Sequence, residues 1–328
     1  MTAEREVRAI VVPGHPSAEI PLTEISAATP GPLINIVGGL AGTAYPGISA
    51  CRMLAKRLPG LLTRGRVRIV PVVDVTGFYG RAARFCPLDG RAVAGAFAAA
   101  ERAGKPSASD RIAQAVTEAL ADADVHIDVR GGELTELHAH WAAVPPAASQ
   151  FESLALAVAS GVEMRVAVDP NDPTAIELGA AGHMATRGRA ALIVTGGGGV
   201  SDVVGDAQVL LDDLLRVLDA LDVIDGVVTD RAVPLRVVGP EIWSHVVDSP
   251  GLWVPATSPG AKVAAGETLG QIWDYFGEPV QEVTAPFDGA VLAVTTSMAV
   301  NVEPDPDGDP WFARTVTVAE AGRDDRDA

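Results

Sequence analysis

Residues 36–47 read Ile-Val-Gly-Gly-Leu-Ala-Gly-Thr-Ala-Tyr-Pro-Gly, and the fold can be read outward from them. An apolar run, Leu33–Val37, leads in, and a helical pattern, Ile48–Leu58, leads out. A buried strand, a glycine-rich loop and a helix in that order open an α/β layer fold. The alternation continues. Val67–Val73, Val125–Val129, Arg165–Val168 and Ala191–Val194 read as buried strands. Ser109–Ala123, Ala175–Thr186 and Asp206–Leu221 read as amphipathic helices. Strands alternating with helices predict a largely parallel sheet, with functional residues at the carboxyl ends of its strands.

Helical periodicity stops after Ile224-Asp225-Gly226. Short β runs divided by Pro and Gly follow at Trp253–Pro255, Pro259–Lys262, Gly266–Trp273, Val283–Pro286 and Gly289–Val294. This spacing predicts a small all-β barrel or sandwich. Two domains are therefore expected, 1–228 and 229–328, with a charged, frayed tail at Glu320–Ala328. The segments 259–270 and 285–294 echo one another as the halves of a biotinyl/lipoyl-like barrel do. Lys262 does not occupy the hairpin tip that a carrier lysine needs.

The 328 residues suffice for two domains and a large core. A net charge of −17 argues against nucleic acid or an anionic membrane as partner, because phosphate binding needs clustered Lys and Arg. No apolar run approaches the roughly 20 residues of a membrane span. Cys51 and Cys86 are the only cysteines, so no disulfide framework arises, and a cytoplasmic setting is expected. Three of the 25 basic residues are lysines, which with the Ala and Gly content suggests a GC-rich bacterial genome.

Four stretches carry a family resemblance. They are residues 36–47, the core Arg84-Phe85-Cys86-Pro87-Leu88-Asp89-Gly90-Arg91, the strand end Ile127-Asp128-Val129-Arg130-Gly131-Gly132, and Gly251–Gly266. Together they resemble the succinylglutamate desuccinylase/aspartoacylase family of zinc-dependent amide hydrolases. The resemblance covers roughly residues 30–315. It implies a zinc carboxypeptidase-like three-layer α/β domain with a mostly parallel sheet, followed by a C-terminal all-β biotinyl/lipoyl-like barrel domain.

It also implies a site, and this chain departs from it position by position. In the family the first loop reads roughly G-x-H-G-x-E-x-x-G, and its His and Glu bind zinc. The matching residues here are Ala41 and Ala44. The third ligand, a His in a D-L-H-S-G-G context, matches Arg130, a permanent cation. The general base matches Val194 or Thr195, neither of which takes a proton from water at neutral pH. The Asn-Arg pair that grips the substrate carboxylate matches Ala94-Gly95. Neither a methyl group nor a guanidinium ligates zinc, so no zinc and no other cofactor is expected.

Other candidates come from the residues themselves. Arg130 is a candidate for positive charge where a metal would sit, or for an ion pair with Asp128 or Glu133. Arg84 and Asp74 are candidate ligand-binding residues, with an Arg84–Asp89 ion pair as the structural alternative. Glu133, His138 and His140 are candidate catalytic residues. If residues 136–140 form a strand, both rings project from one face and, with Glu133 or Glu136, offer metal-ligand types. His126 reads as a core residue, and Asp169–Pro173 as a turn. The Gly196–Gly199 run reads as a tight turn after a strand. Neither Ser49 nor the cysteines form a nucleophile motif.

Two functions follow. One is a pseudoenzyme without zinc-dependent hydrolysis, acting as a small-molecule-binding or regulatory subunit, alone or oligomerised with itself or an active relative. The other is a repurposed hydrolase, lyase or cyclase acting on an N-acyl amino acid-like or other small anionic substrate through residues the family does not use.

Overall fold

The computed structural model describes residues 3–15, 18–99, 105–146, 150–168, 178–199, 202–225, 236–303 and 311–322. The elements run β1 Glu4–Ile10, β2 Ile20–Ser26, β3 Thr29–Gly38, α1 Tyr45–Arg57, β4 Arg64–Val70, α2 Val75–Gly80, α3 Val93–Ala96 and α4 Ala108–Leu120. Then come β5 Val125–Val129, β6 Glu136–Ala143, α5 Gln150–Ala159, β7 Met164–Val166, α6 Gly179–Thr186, β8 Ala190–Gly198 and α7 Val203–Ala220. The C-terminal part is β9 Arg236–Val246, β10 Gly251–Pro255, β11 Lys262–Val263, β12 Thr268–Trp273, β13 Pro279–Thr284, β14 Gly289–Thr295, β15 Ala299–Val300 and β16 Arg314–Ala321.

Apolar runs become the centre of the sheet because both their faces must be covered. Strands β4, β3, β5 and β8 are mutually parallel, β2 and β6 join them antiparallel, and β1 pairs antiparallel with β2 at the edge. The sheet is therefore mixed around a parallel centre. Helices α1, α5 and α7 cover one face through Leu54, Leu156, Leu210 and Leu214, which share a cluster with Ile34, Ile36, Ile127 and Leu192. Val93, Ile112 and Val116 of α3 and α4 pack the other face against Val37 and Val70. Pro46 opens α1, where its fixed φ costs nothing, and Lys56 and Arg57 lie at the helix's negative end. Ser107 and Asp110 form a capping box at the start of α4.

The C-terminal strands divide between two sheets. Strands β13, β12, β10 and β15 make a separate four-stranded sheet. Strands β9, β16, β14 and β11 continue the large sheet, which has twelve strands in all among the described residues. Strand β6 is shared along its length: Glu136–His138 pair with β14, and Trp141–Ala143 pair with β7. Strand β7 pairs β9, β9 pairs β16 and β16 pairs β14, so β6, β7, β9, β16 and β14 close into a barrel. That barrel draws its strands from both sides of position 228. The expected boundary and the Asp169–Pro173 turn lie outside the described residues.

The expected run Pro259–Lys262 is mostly a turn, with the Ala261 N–H donating to Ser258 O, and only Lys262–Val263 is strand. Strand β16 pairs with β9 and β14 from a segment the β-run pattern did not mark. Among the described residues no helix is long and apolar enough to cross a membrane.

Candidate functional site

A cavity of about 170 Å³ opens at the carboxyl ends of β3, β5 and β8. Its first wall is backbone-rich. The β3–α1 loop supplies Gly39, Leu40, Ala41 and Ala44, the end of β5 supplies Arg130 and Gly131, and β8 supplies Thr195. Of the two alternatives on β8, Thr195 lines the cavity, whereas Val194 belongs to the core under α1 and α7. Ala94 lines the cavity as well.

Close backbone packing sets this wall. A Cβ on Gly42 would lie 2.1 Å from the Phe78 nitrogen, and one on Gly47 would lie 2.4 Å from the Val129 carbonyl oxygen. Both are far inside contact distance, so these positions require glycine. The frame survives because it carries backbone against backbone, independently of the side chains at 41 and 44.

The second wall is rich in charge. Glu133, Glu136 and His138 come from β6 and the loop before it, and Trp311, Arg314 and Thr317 come from β16 and its approach. Arg84 lies in the α2–α3 loop at φ 61°, in the left-handed region. The Phe85 ring meets Trp311 edge-on at 5.7 Å, which joins the loop to the C-terminal strands.

Glu133 ties three segments together. Its Oε2 accepts from the Thr43 hydroxyl at 2.8 Å and from the Arg84 N–H. Burial and the charge of Glu136 push its carboxyl up to about 7, against the pull of the Arg84 N–H and the Thr43 hydroxyl. Glu136 takes the opposite course. Burial alone would raise it, but the His138 hydrogen bond at 3.4 Å and the charges of His138, Arg84 and Arg314 hold it below the usual carboxylate range.

On the first wall Arg130 donates from Nη2 to Asp128 Oδ2 at 2.8 Å, the ion pair anticipated with Asp128. Asp128 is fully buried and also meets His126 Nε2 at 3.0 Å. His126 is thus a core residue with a partner. The Asp89 carboxylate accepts from the Ser109 N–H and hydroxyl and from the Arg91 N–H.

Two candidates, His140 and Asp74, fall elsewhere. His138 and His140 do not face one way: β6 is bulged between His138 and Trp141 against β8, and the extra residue breaks the two-residue alternation. His138 turns into the cavity, and His140 Nε2 lies 2.5 Å from Asp213 Oδ2 on α7. Asp74 is not in the cavity lining; it is the buried N-cap of α2, accepting from the Gly77 N–H at 2.8 Å and the Thr76 hydroxyl at 2.9 Å. Burial raises both thiols, Cys51 to about 12. Neither is a ready nucleophile.

Sequence reasoning did not single out Thr43, Trp141, Trp311 or Arg314. No local motif marks them. Arg314 and Trp311 reach the cavity only through the long-range pairing of β16 with β14 and β9. Among the described residues no group of three or more His, Cys, Asp or Glu side chains is placed to hold a metal ion. The arginines Arg84, Arg130 and Arg314 instead gather at one cavity of a chain whose net charge is −17.

No protein-family model matches the chain, and no curated protein sequence matches it. Solved structures do. A succinylglutamate desuccinylase/aspartoacylase from Rhodobacter sphaeroides superposes with a TM-score of 0.76 at 23% identity, covering 98% of this chain and 97% of that one. The ectoine utilization protein EutE from Ruegeria pomeroyi gives 0.77 at 22% identity, covering 92% and 89%. An aspartoacylase family protein from Mesorhizobium loti gives 0.74 at 18% identity, covering 98% and 96%. The chain has the fold of succinylglutamate desuccinylase/aspartoacylase family proteins over nearly its whole length.

Proposed function

We propose that this chain is a succinylglutamate desuccinylase/aspartoacylase-like protein that binds a small anionic molecule in its cavity and does not hydrolyse amides with zinc. The observation that carries this is the set of side chains at the cavity's first wall. Ala41 and Ala44 present methyl groups there, and Arg130 presents a guanidinium. Neither has a lone pair for zinc, and a fixed cation repels one. Thr195 does not serve as a general base. The residues present do not fit the metal, so no hydrolytic step is routed through it.

The same residues suit an anion. Three guanidinium groups, Arg84, Arg130 and Arg314, line the cavity with Glu136 and a Glu133 whose carboxyl is pushed up to about 7, and Asp128 pairs with Arg130. A cavity of about 150 Å³ in another protein holds benzene, so this one takes a ligand of about six to eight non-hydrogen atoms. The C-terminal strands complete the cavity, which supports a structural role for that biotinyl/lipoyl-like part in place of a carrier arm. A cytoplasmic binding or regulatory subunit, alone or beside an active relative, is the role consistent with these features.

One observation favours a second reading. Glu133 and Glu136 are neighbouring carboxylates whose environments push them apart, the arrangement used by acid–base pairs. A repurposed enzyme would use Glu133 as its proton carrier, with His138 beside it. The test is metal analysis of purified protein, with calorimetric titration of acetate, succinate and inorganic phosphate. We expect no stoichiometric zinc, and an anion affinity that falls at least tenfold in Arg84→Ala and Arg130→Ala. One tightly held zinc per chain, with turnover of N-acyl amino acids, would sink the proposal.

A further inference from the structure

We infer that Asp128 is a positioning residue that, together with the missing side chain of Gly179, fixes the Arg130 guanidinium at the cavity wall as an anion-binding group. This rests on the anion-binding reading above. His126, Asp128 and Arg130 occupy alternate positions along β5 and its end, so they share one face of a central strand. That face is turned toward α6. Asp128 Oδ2 accepts from Arg130 Nη2 at 2.8 Å and from the Ala181 N–H, in the first turn of α6, at 3.1 Å. Asp128 Oδ1 meets His126 Nε2 at 3.0 Å. The carboxylate thus joins the end of β5 to the start of α6 and satisfies a first-turn N–H of that helix.

Gly179 supplies the space. Its φ is +56°, and a Cβ there would stand 2.6 Å from Arg130 Nη2, 2.8 Å from Leu40 Cδ1 and 3.2 Å from Asp128 Oδ2. The guanidinium occupies the volume a side chain would take. The backbone is fixed as well: the Arg130 N–H donates to Val194 O at 2.8 Å, and a Cβ on Gly131 would lie 2.8 Å from Pro46 Cγ. Arg130 is therefore gripped along one edge, while its side chain, 18% exposed, lines the cavity. Burial alone would raise the Asp128 carboxyl; the His126 hydrogen bond and the Arg130 charge outweigh it and keep it ionised.

The grip opposes the Coulomb cost of a nearby negative charge. An arginine held in one rotamer avoids the ordering cost that a mobile one meets on binding, and its geometry is fixed for a planar acid group. Positioning and neutralisation predict opposite outcomes. If Asp128 positions Arg130, removing its charge weakens anion binding; if it merely neutralises Arg130, removal tightens binding.

The experiment titrates wild type, Asp128→Asn, Gly179→Ala, Arg130→Ala and the Asp128→Asn/Arg130→Ala double variant with acetate, succinate and inorganic phosphate. We expect Arg130→Ala to lose affinity at least tenfold, and Asp128→Asn and Gly179→Ala to lose about threefold to tenfold each. The double variant should bind no worse than Arg130→Ala, because Asp128 acts only through Arg130. Additive losses in that cycle, or an Asp128→Asn affinity equal to or tighter than wild type, overturn the inference while leaving the anion reading intact. An Arg130→Ala variant that binds as wild type, or a wild type that binds none of the three anions, removes the anion reading itself. Should the variants misfold, arginine side-chain NMR of the wild type decides. A slowly rotating, hydrogen-bonded Arg130 guanidinium supports the grip, and rapid averaging refutes it.

Discussion

The two walls of the cavity are held in different ways. The wall at the strand ends is fixed by backbone contacts at Gly42 and Gly47, and most of its side chains are small or apolar. The wall formed by β6, the Arg84 loop and β16 is fixed by side chains: Glu133 accepting from Thr43 and Arg84, Glu136 held by His138, and Phe85 against Trp311. A backbone frame persists when the functional groups on it change. A network of charges holds only while its members are present. Chemistry lost from the first wall thus leaves the fold intact, and what charge chemistry this cavity retains is concentrated on the second, with Arg130 the exception.

The sharpest way to break the comparison is to place a methyl group into the backbone frame. Gly42→Ala would bring a Cβ to 2.1 Å from the Phe78 nitrogen and 2.3 Å from the Gly77 carbonyl carbon, and backbone cannot swing aside. Overpacking of this kind costs about 2–4 kcal/mol. Gly47→Ala, 2.4 Å from Val129 O, should behave alike. Gly60, with nothing within 4 Å of its Cβ position, is the control and should change stability by less than about 0.5 kcal/mol. Urea denaturation measures all three. Equal stabilities would mean that the first wall is not held by its glycines.

The second wall should reveal itself through pH. Glu133 has a folded-state value of about 7 against an unfolded value of 4.5, so the native state binds its proton more tightly. Its contribution to stability is then complete below about 4.5 and is lost as pH rises through about 7. Glu136 and Asp128 act with the opposite sign, because their lowered carboxyls cost stability only as the solution turns acid. Glu133→Gln keeps an oxygen for Thr43 and Arg84 and removes the charge. It should be more stable than wild type above pH 7, by about 1–3 kcal/mol after allowance for relaxation, and should lose the slope between pH 4.5 and 7. Denaturation midpoints across that window decide, and parallel curves for the two proteins would refute the buried, strained state of Glu133.

The same division governs how much the sequence disclosed. The strand–loop–helix at 33–58 and the strand at 125–129 were legible because apolar runs and glycines are local signals, and the structure places them where those signals imply. Ala41, Ala44 and Arg130 were matched to one another through the family resemblance, and all three line one cavity. Arg314 and Trp311 were not legible, since no local pattern links residue 314 to residue 136; only the closing of β6, β7, β9, β16 and β14 into a barrel brings them together. His140 misled for a related reason. A strict alternation puts it beside His138, and one bulged residue in β6 sends it to Asp213 instead.

The smallest expected effect sharpens the comparison most. Arg314 lines the cavity from β16, and its charge helps keep Glu136 ionised. Part of its field is therefore already engaged by Glu136, whereas Arg130 is held in place at the opposite wall. Arg314→Ala should weaken anion binding by about twofold to fivefold, the scale of a partly screened surface charge near 0.5–1 kcal/mol. That loss should shrink further when the ionic strength of the titration is raised, because exposed charges are screened within about 10 Å at 0.1 M salt. A loss as large as that of Arg130→Ala, and equally insensitive to salt, would place the anion on the C-terminal wall. The strand ends would then keep only a scaffolding role, and the order of the two walls in binding would be the reverse of the one argued from Asp128 and Gly179.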